Sequence, residues 1–214
     1  MITVINYGVG NLFSLVSSLE FIGEKVKISG DPAEISRAEK LILPGVGAFA
    51  DAAQKLLDTH IGKIVKEKAA AGTPMLGICL GMQLFFEKSL EYGEHEGLGL
   101  LRGEVIPIRQ AVKQAANQAD VAENLKIPQI GWNRLRFKNG RHELFKYVEE
   151  GEHVYFVHSY CAVKCEDSLI AVTDVAENAE ITAAAANGNI LACQFHPEKS
   201  GRVGLNILRA FAEM

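Results

Sequence analysis

No apolar run in this sequence approaches the ~18 residues that a membrane-crossing helix needs. No block of basic or acidic residues stands out either. The 22 Lys and Arg and 26 Asp and Glu are mixed along the chain for a net charge of −4, which argues against a nucleic-acid or membrane partner. Cysteine is scarce: four in 214 residues, none in a C-x2-C pair, so neither a disulfide framework nor the commoner zinc sites are expected. The start, MITVINYGVGN, has no charged segment ahead of an apolar one, so no secretory signal is expected. Internal repeats and linkers are missing too. With 48% hydrophobic and 22% charged residues, the expectation is a soluble, cytoplasmic globular protein, 1–214, folded as one domain around a full core.

The first hundred residues alternate between two periods. ITVINY, KVKIS, KLILPG and PMLGIC read as strands. Between them, LFSLVSSLEFIG, DPAEISRA, AFADAAQKLLDT and IGKIVKEKAAAG read as helices, with Asp31 as a cap, Pro32 in the first helical position and Gly23 as a stop. Such alternation implies an α/β fold with a mostly parallel open sheet covered by helices on both faces. The second half is richer in strand-like runs separated by short turns: GEVIPI, IGWNRLRF, HVYFVHSY, SLIAVTDV, EITAAAA and ILACQFHP. These suggest antiparallel strands added to the core. A closing helix has Val203, Ile207, Leu208 and Phe211 on one face. Residues 109–127, rich in Ala, Gln and Asn, read as a surface insertion.

GICLGMQL sets Cys79 between Gly77 and Gly81, where the fourth strand turns into a helix. This is the sulfur counterpart of a nucleophile elbow, in which a tight turn lifts the nucleophile above the sheet edge. The two glycines let strand and helix approach closely. The helix start favours an anion at the sulfur, and the Leu80 N–H points where an attacked carbonyl oxygen would turn negative. A free cysteine is also commonly a small buried hydrophobe, and that alternative stays open here.

A nucleophilic thiol needs a base, and the base needs an orienter. Of the six histidines, His196 in CQFHPEKS is held extended by Pro197. In extended chain Glu198 projects on the same side, as a carboxylate that would fix the ring. Both follow a strand, as Cys79 does, and strand ends form the binding crevice of open parallel sheets. LPGVGAF offers a glycine-flanked loop able to aim a second backbone N–H, near Val46, into that crevice. A rival reading is a dinucleotide site, since GVGAFA fits the looser G-x-G-x-x-A fingerprint; Phe13 spoils that fingerprint in the first turn, YGVGNLF. His158, Cys161, Cys165 and Cys193 are a weaker candidate for metal, because alternation in FVHSYCAVKC places His158 and Cys161 on opposite faces.

INYGVGNL, LPGVGAF, GICLGMQL, GWN, YFVHSY and QFHPEKSG together resemble the class I (triad-type) glutamine amidotransferases, nearly end to end. More narrowly they look like the glutaminase subunits of imidazole glycerol phosphate synthases. That resemblance implies a flavodoxin-like fold and hydrolysis of L-glutamine to glutamate and ammonia, with no cofactor and no metal. It casts Cys79 as nucleophile, His196 as base and acid, and Glu198 as orienter, with backbone N–H groups at Val46 and Leu80 as the oxyanion hole. It carries glutamine binding onto Gly47, Gln83, His158, Ser159 and Tyr160. It also implies a heterodimer with a (β/α)8-barrel cyclase subunit that receives the ammonia, with Asn11, Trp132, Tyr155 and Lys199 near the interface, and low glutaminase activity until that partner is bound and liganded. The alternative for Trp132 is a core aromatic. Two features depart from the pattern: the 109–127 segment is longer than the family usually carries, and Gln129 stands where many relatives have histidine.

Overall fold

The computed structural model describes residues 1–116, 119–177 and 179–214. Its first half runs β1 (Ile2–Ile5), α1 (Leu12–Phe21), β2 (Val26–Ser29), α2 (Pro32–Ser36), β3 (Lys40–Leu43), α3 (Phe49–Asp58), α4 (Ile61–Ala70), β4 (Met75–Ile78) and α5 (Leu80–Phe85). Asp31 caps α2 by accepting the Ala33 N–H at 2.9 Å. Two short strands that no alternation announced come next, β5 (Lys88–Ser89) and β6 (His95–Glu96). The remainder is β7 (Glu104–Pro107), α6 (Ile108–Ala116), α7 (Ala119–Asn124), β8 (Gln129–Arg134), β9 (Arg136–Phe137), β10 (His153–His158), β11 (Tyr160–Val163), β12 (Leu169–Ala176), β13 (Ala179–Asn187), β14 (Ile190–Cys193) and α8 (Gly201–Ala212).

The main sheet has the order β2-β1-β3-β4-β14-β13-β12-β9. Its first five strands are parallel and the last three join antiparallel. ILACQF, expected among the added antiparallel strands, instead forms β14 parallel beside β4, with Ile190 opposite Met75 and Cys193 opposite Ile78. Both strands therefore end at the same edge of the sheet. Side chains alternate between two cores, as a strand covered on both faces requires. Leu41, Leu43, Met75, Ile190 and Ala192 pack with residues of α2, α3, α4 and α5. Ile42, Leu76, Ile78, Leu191 and Cys193 pack with Leu15 and Leu19 of α1 and with Ile207, Leu208 and Phe211 of α8. Among the described residues no helix is long and apolar enough to cross a membrane.

Two smaller sheets, β10-β8 and β11-β7-β5-β6, flank this core. They correct the alternation argument for FVHSYCAVKC: the chain changes sheets at Ser159, so face counting through it fails, and His158 and Cys161 are both buried. The 109–127 segment is also more than polar surface. Ala111, Val112, Ala122 and Leu125 are buried against Ile106, Cys161 and Ile181, a third small core. Asn117 and Gln118, within that segment, lie outside the described residues.

The close seating of α5 on β3 makes one glycine indispensable. A Cβ on Gly81 would lie 1.8 Å from the Leu43 carbonyl oxygen, which is backbone and cannot yield. Gly81→Ala is expected to cost on the order of 3 kcal/mol. In urea unfolding, that lowers the midpoint by roughly 1 M at unchanged slope; an unmoved midpoint would contradict this seating.

Candidate active site

Cys79 joins β4 to α5 with φ +54° and ψ −110°. A non-glycine residue at positive φ costs on the order of 1–3 kcal/mol and persists only where its surroundings enforce it. Here the Cys79 N–H donates to the Cys193 carbonyl at 2.8 Å, and the Cys79 carbonyl accepts from Gln83 N–H at 3.1 Å. Gly77 leaves no room for a side chain, since a Cβ there would stand 2.8 Å from the Gly81 carbonyl. The elbow anticipated from G-x-C-x-G is thus formed, although α5 is only six residues long.

His196 follows β14 at the same edge. Its Nδ1 and Glu198 Oε1 are 2.7 Å apart, with the two side chains 3% and 4% exposed. Extended chain through both residues is the expectation from the sequence, but only His196 is extended, and Pro197–Lys199 form a single 3₁₀ turn that swings Glu198 back to the ring. Residues not anticipated from the sequence lock this turn. Ser200 Oγ donates to the His196 carbonyl at 2.6 Å and accepts from Tyr155 N–H at 3.0 Å. Gly204 lets α8 approach so closely that a Cβ would lie 1.8 Å from the Pro197 carbonyl oxygen. Their only signal in the sequence was SGRVG, two small residues around the start of a helix.

Burial acts to lower the His196 pKa, but Cys79 and Glu198 outweigh it and raise the value to about 9. Its Nε2 makes no hydrogen bond of normal geometry in this state, so the sulfur acts on it through proximity. His158 behaves oppositely. Burial chiefly, with the nearby His196 charge adding to it, pushes its pKa down to about 4 against the effect of the Tyr160 carbonyl. His158 Nδ1 lies 2.7 Å from that carbonyl, which fixes the proton on Nδ1 in the neutral ring.

Cys79 and His196 open into a cavity of about 560 Å³, which Val46, Gly47, Leu80, Gln83, His158, Ser159 and Tyr160 also line. Every residue assigned to glutamine by resemblance therefore meets at one cavity. Gln83 is not free within it: its Nε2 donates to the Tyr160 carbonyl at 3.2 Å and to Gln194 Oε1 at 3.0 Å, while Gln194 Nε2 reaches Cys79 Sγ at 3.7 Å. Gln194, Glu91, Tyr92 and Arg109 were missed by the sequence reading; the last three line the cavity from segments without a recognisable motif.

The oxyanion donors are differently disposed from expectation. Leu80 N–H already donates to the Gly45 carbonyl, at 3.3 Å. The peptide is planar and trans, so the Val46 N–H on the same unit points the other way. The two donors thus do not converge in this conformation. Glu91 Oε2 accepts the Phe49 N–H at the start of α3, at 2.6 Å. That carboxylate occupies the place where a pyrophosphate would sit, which removes the dinucleotide reading of GVGAFA.

The other thiols are inert by environment. Burial pushes Cys161 up to about 12, and raises Cys165 and Cys193 as well. No three metal-ligating side chains gather among the described residues. Near the same sheet edge, Trp132 is 55% exposed and so is not a core aromatic. It meets Tyr155 edge-on at 6.0 Å, and Lys199 Nζ stands 5.9 Å from the Tyr155 ring centre. Asn11, exposed at the start of α1, donates to Ser14 Oγ at 3.0 Å.

The two histidines imply a pH signature. A folded-state value above the usual ~6.5 makes His196 stabilising below pH ~6.5, and that contribution is lost as pH rises through about 9. A depressed value makes His158 cost stability as pH falls from ~6.5 towards about 4. Glu198→Gln weakens the first effect alone. The Tm gap between wild type and Glu198→Gln is therefore expected to narrow between pH 6.5 and 9; a constant gap would show that the pair does not hold the His196 proton.

The family model described as Glutamine amidotransferase class-I matches residues 3–214. The chain is 45% identical over 212 residues to the imidazole glycerol phosphate synthase subunit HisH of Lactococcus lactis subsp. lactis, covering 99% of this chain and 98% of that protein. It is 46% identical over 214 residues to the HisH subunit of a Geobacillus species, covering 100% and 97%. Among solved structures, one titled as a glutamine amidotransferase superposes with a TM-score of 0.73 at 17% identity, over 100% of this chain and 98% of that one. PurLQS from Thermotoga maritima gives 0.70 at 19%, over 99% and 97%; at such identities these likenesses speak to fold alone. On the family model and the full-length relatives, the chain belongs to the class-I glutamine amidotransferase family.

Proposed function

We propose that this chain is the glutaminase subunit of an imidazole glycerol phosphate synthase, acting in the cytoplasm as one domain in histidine biosynthesis. The observation that carries the reading is the strained Cys79 facing the Glu198-held His196 across one cavity. Cys79 Sγ gives its proton to His196 and attacks the side-chain amide carbon of L-glutamine. His196, protonated at neutral pH, gives its proton to the leaving ammonia. Once neutral, it takes a proton from the water that hydrolyses the thioester, and returns it to the sulfur as glutamate departs. Glu198 keeps the imidazolium oriented and compensated throughout. For the oxyanion, the Gly45–Val46 peptide turns over, freeing the Leu80 N–H and bringing the Val46 N–H beside it. Gly47, at φ +101°, and the anchored Pro44 carbonyl, which accepts from Tyr7 Oη at 2.8 Å, confine that rotation to one unit.

The ammonia passes to a (β/α)8-barrel cyclase in a heterodimer. Trp132, Tyr155 and Lys199 supply an aromatic-cationic patch, with Ile130 61% exposed beside Trp132 on β8. Exposed aromatics of this kind are typical anchors of protein interfaces.

Glutamate release from L-glutamine tests the reading, for the chain alone and then with a cognate cyclase and its nucleotide ligand. The rate is expected to be low alone and to rise strongly in the complex. Cys79→Ala abolishes it in both, and Glu198→Gln lowers kcat roughly 10²–10⁴-fold. Full activity without a partner would instead identify a free-standing amidase, and no activity in either state would sink the catalytic reading.

A further inference from the structure

Gln194 stands outside the set of Cys79, His196 and Glu198, yet its side chain touches the reacting sulfur. It follows β14 directly, with its backbone N–H on the Ala183 carbonyl at 2.9 Å, and it is 0% exposed. Its Oε1 accepts from Gln83 Nε2 at 3.0 Å, and its own Nε2 donates towards Cys79 Sγ at 3.7 Å. One backbone group fixes the direction of this chain of amides. The Tyr160 carbonyl can only accept, so Gln83 turns its NH2 towards it, at 3.2 Å. The same nitrogen meets Gln194 Oε1, which leaves the Gln194 NH2 for the sulfur. Turning either amide over would face oxygen to oxygen or donor to donor in a buried site, where such groups are costly to leave unsatisfied.

A neutral thiol is a weak acceptor, whereas hydrogen bonds to an ionised acceptor are about twice as strong as neutral ones. A donor buried against the sulfur is therefore better satisfied once the thiol has given its proton to His196. The Val157 carbonyl, 4.0 Å from Sγ, is a distant acceptor for the thiol proton. We propose that Gln194 is a catalytic residue, a neutral donor that stabilises negative charge on Cys79 Sγ before attack and again when the thioester breaks. In that second step water bonds to the carbonyl carbon and the C–S bond breaks. Its electron pair returns to the sulfur, with the proton that His196 took from the water. The second step rests on the glutaminase reading; the first is a property of the thiol alone.

The test is the rate at which iodoacetamide alkylates Cys79 in the full chain. Peptide mass spectrometry counts Cys161, Cys165 and Cys193 apart from it. Gln194→Met, close in volume and without a donor, is expected to react roughly tenfold slower than wild type at pH 7, as loss of one hydrogen bond to a charged atom implies. The gap should close by pH ~10, where the thiol is ionised in both proteins. A thiol merely displaced by the substitution would react slowly at every pH. Gln194→Glu keeps the acceptor for Gln83 but turns a second oxygen to the sulfur. It should be at least as slow at pH 7, and it carries the test where Gln194→Met does not fold. In the cyclase complex, kcat on L-glutamine should fall by a similar factor, with KM changed by less than about threefold. No gap in alkylation, a gap constant from pH 7 to 10, or a loss confined to KM overturns the proposal. Alkylation as expected in a chain whose wild type releases no ammonia from L-glutamine, alone or in the complex, overturns the glutaminase reading and leaves the donor to the sulfur in place.

Discussion

The parallel pairing of β4 with β14 is the constraint on which the site depends. It brings together two segments more than a hundred residues apart and ends both at one edge, with Ile78 opposite Cys193. The last bond of the ladder, Cys79 N–H to the Cys193 carbonyl, belongs at once to the sheet and to the elbow. It holds Cys79 at φ +54° while the chain turns away into α5. A slip of β14 by one residue would send Cys193 to the opposite core and carry His196 off the crevice. Fold stability and site geometry are therefore the same set of contacts at this edge. The strain of the elbow persists because both neighbouring cores, one on each face, hold the strands that flank it.

Two buried histidines in one cavity are driven apart by what touches them. His196 has a carboxylate on one side and a sulfur on the other, and keeps its proton near neutral pH; His158 has only a carbonyl to satisfy and loses it. Had both been protonated, two positive charges would share a desolvated site, which costs far more than either carboxylate or carbonyl returns. The proton is thereby assigned to the ring beside Cys79. A neutral His158 leaves the electrostatics of the cavity to the Glu198–His196 pair at its closed end and to Glu91 and Arg109 along its walls.

Much of this was legible in the sequence, for reasons that are local. Period-two and helical patterns gave the first nine elements, and Gly77-x-Cys79-x-Gly81 marked an elbow because only small residues permit the approach that Gly81 makes to Leu43. His196 and Glu198 were found by spacing, although the turn that joins them is 3₁₀ rather than extended. What escaped was set by distant partners. The parallel direction of β14 depends on β4, not on its own residues. The change of sheet at Ser159 has no glycine or proline to announce it. Glu91 and Arg109 look like ordinary surface charges until α3 and the 109–127 segment fold around the cavity. The 109–127 segment reads as surface because its few buried residues, Ala111, Val112, Ala122 and Leu125, are spread among polar ones and find their partners only in Ile106, Cys161 and Ile181.

On the proposed glutaminase reading, the loop around Val46 sets the energy scale on which the site is controlled. Its resting state is held by the Leu80 N–H to Gly45 carbonyl bond, which at 3.3 Å is long for an amide pair. A bond of that kind contributes on the order of 1 kcal/mol net. Gly45 itself is wedged, with room for no side chain between Tyr7 Oη and Leu80 Cβ, and Tyr7 anchors the preceding carbonyl. Turning the Gly45–Val46 peptide, as proposed, exchanges one weak hydrogen bond for two free donors. Two free donors in a desolvated cavity are unfavourable until an oxyanion forms between them. A difference of a few kcal/mol between two such states shifts a population by about ten- to thousandfold. Val46 is 43% exposed, so on the proposed reading a partner subunit reaches that peptide directly, and the energy needed is of the order that a handful of interface contacts provides.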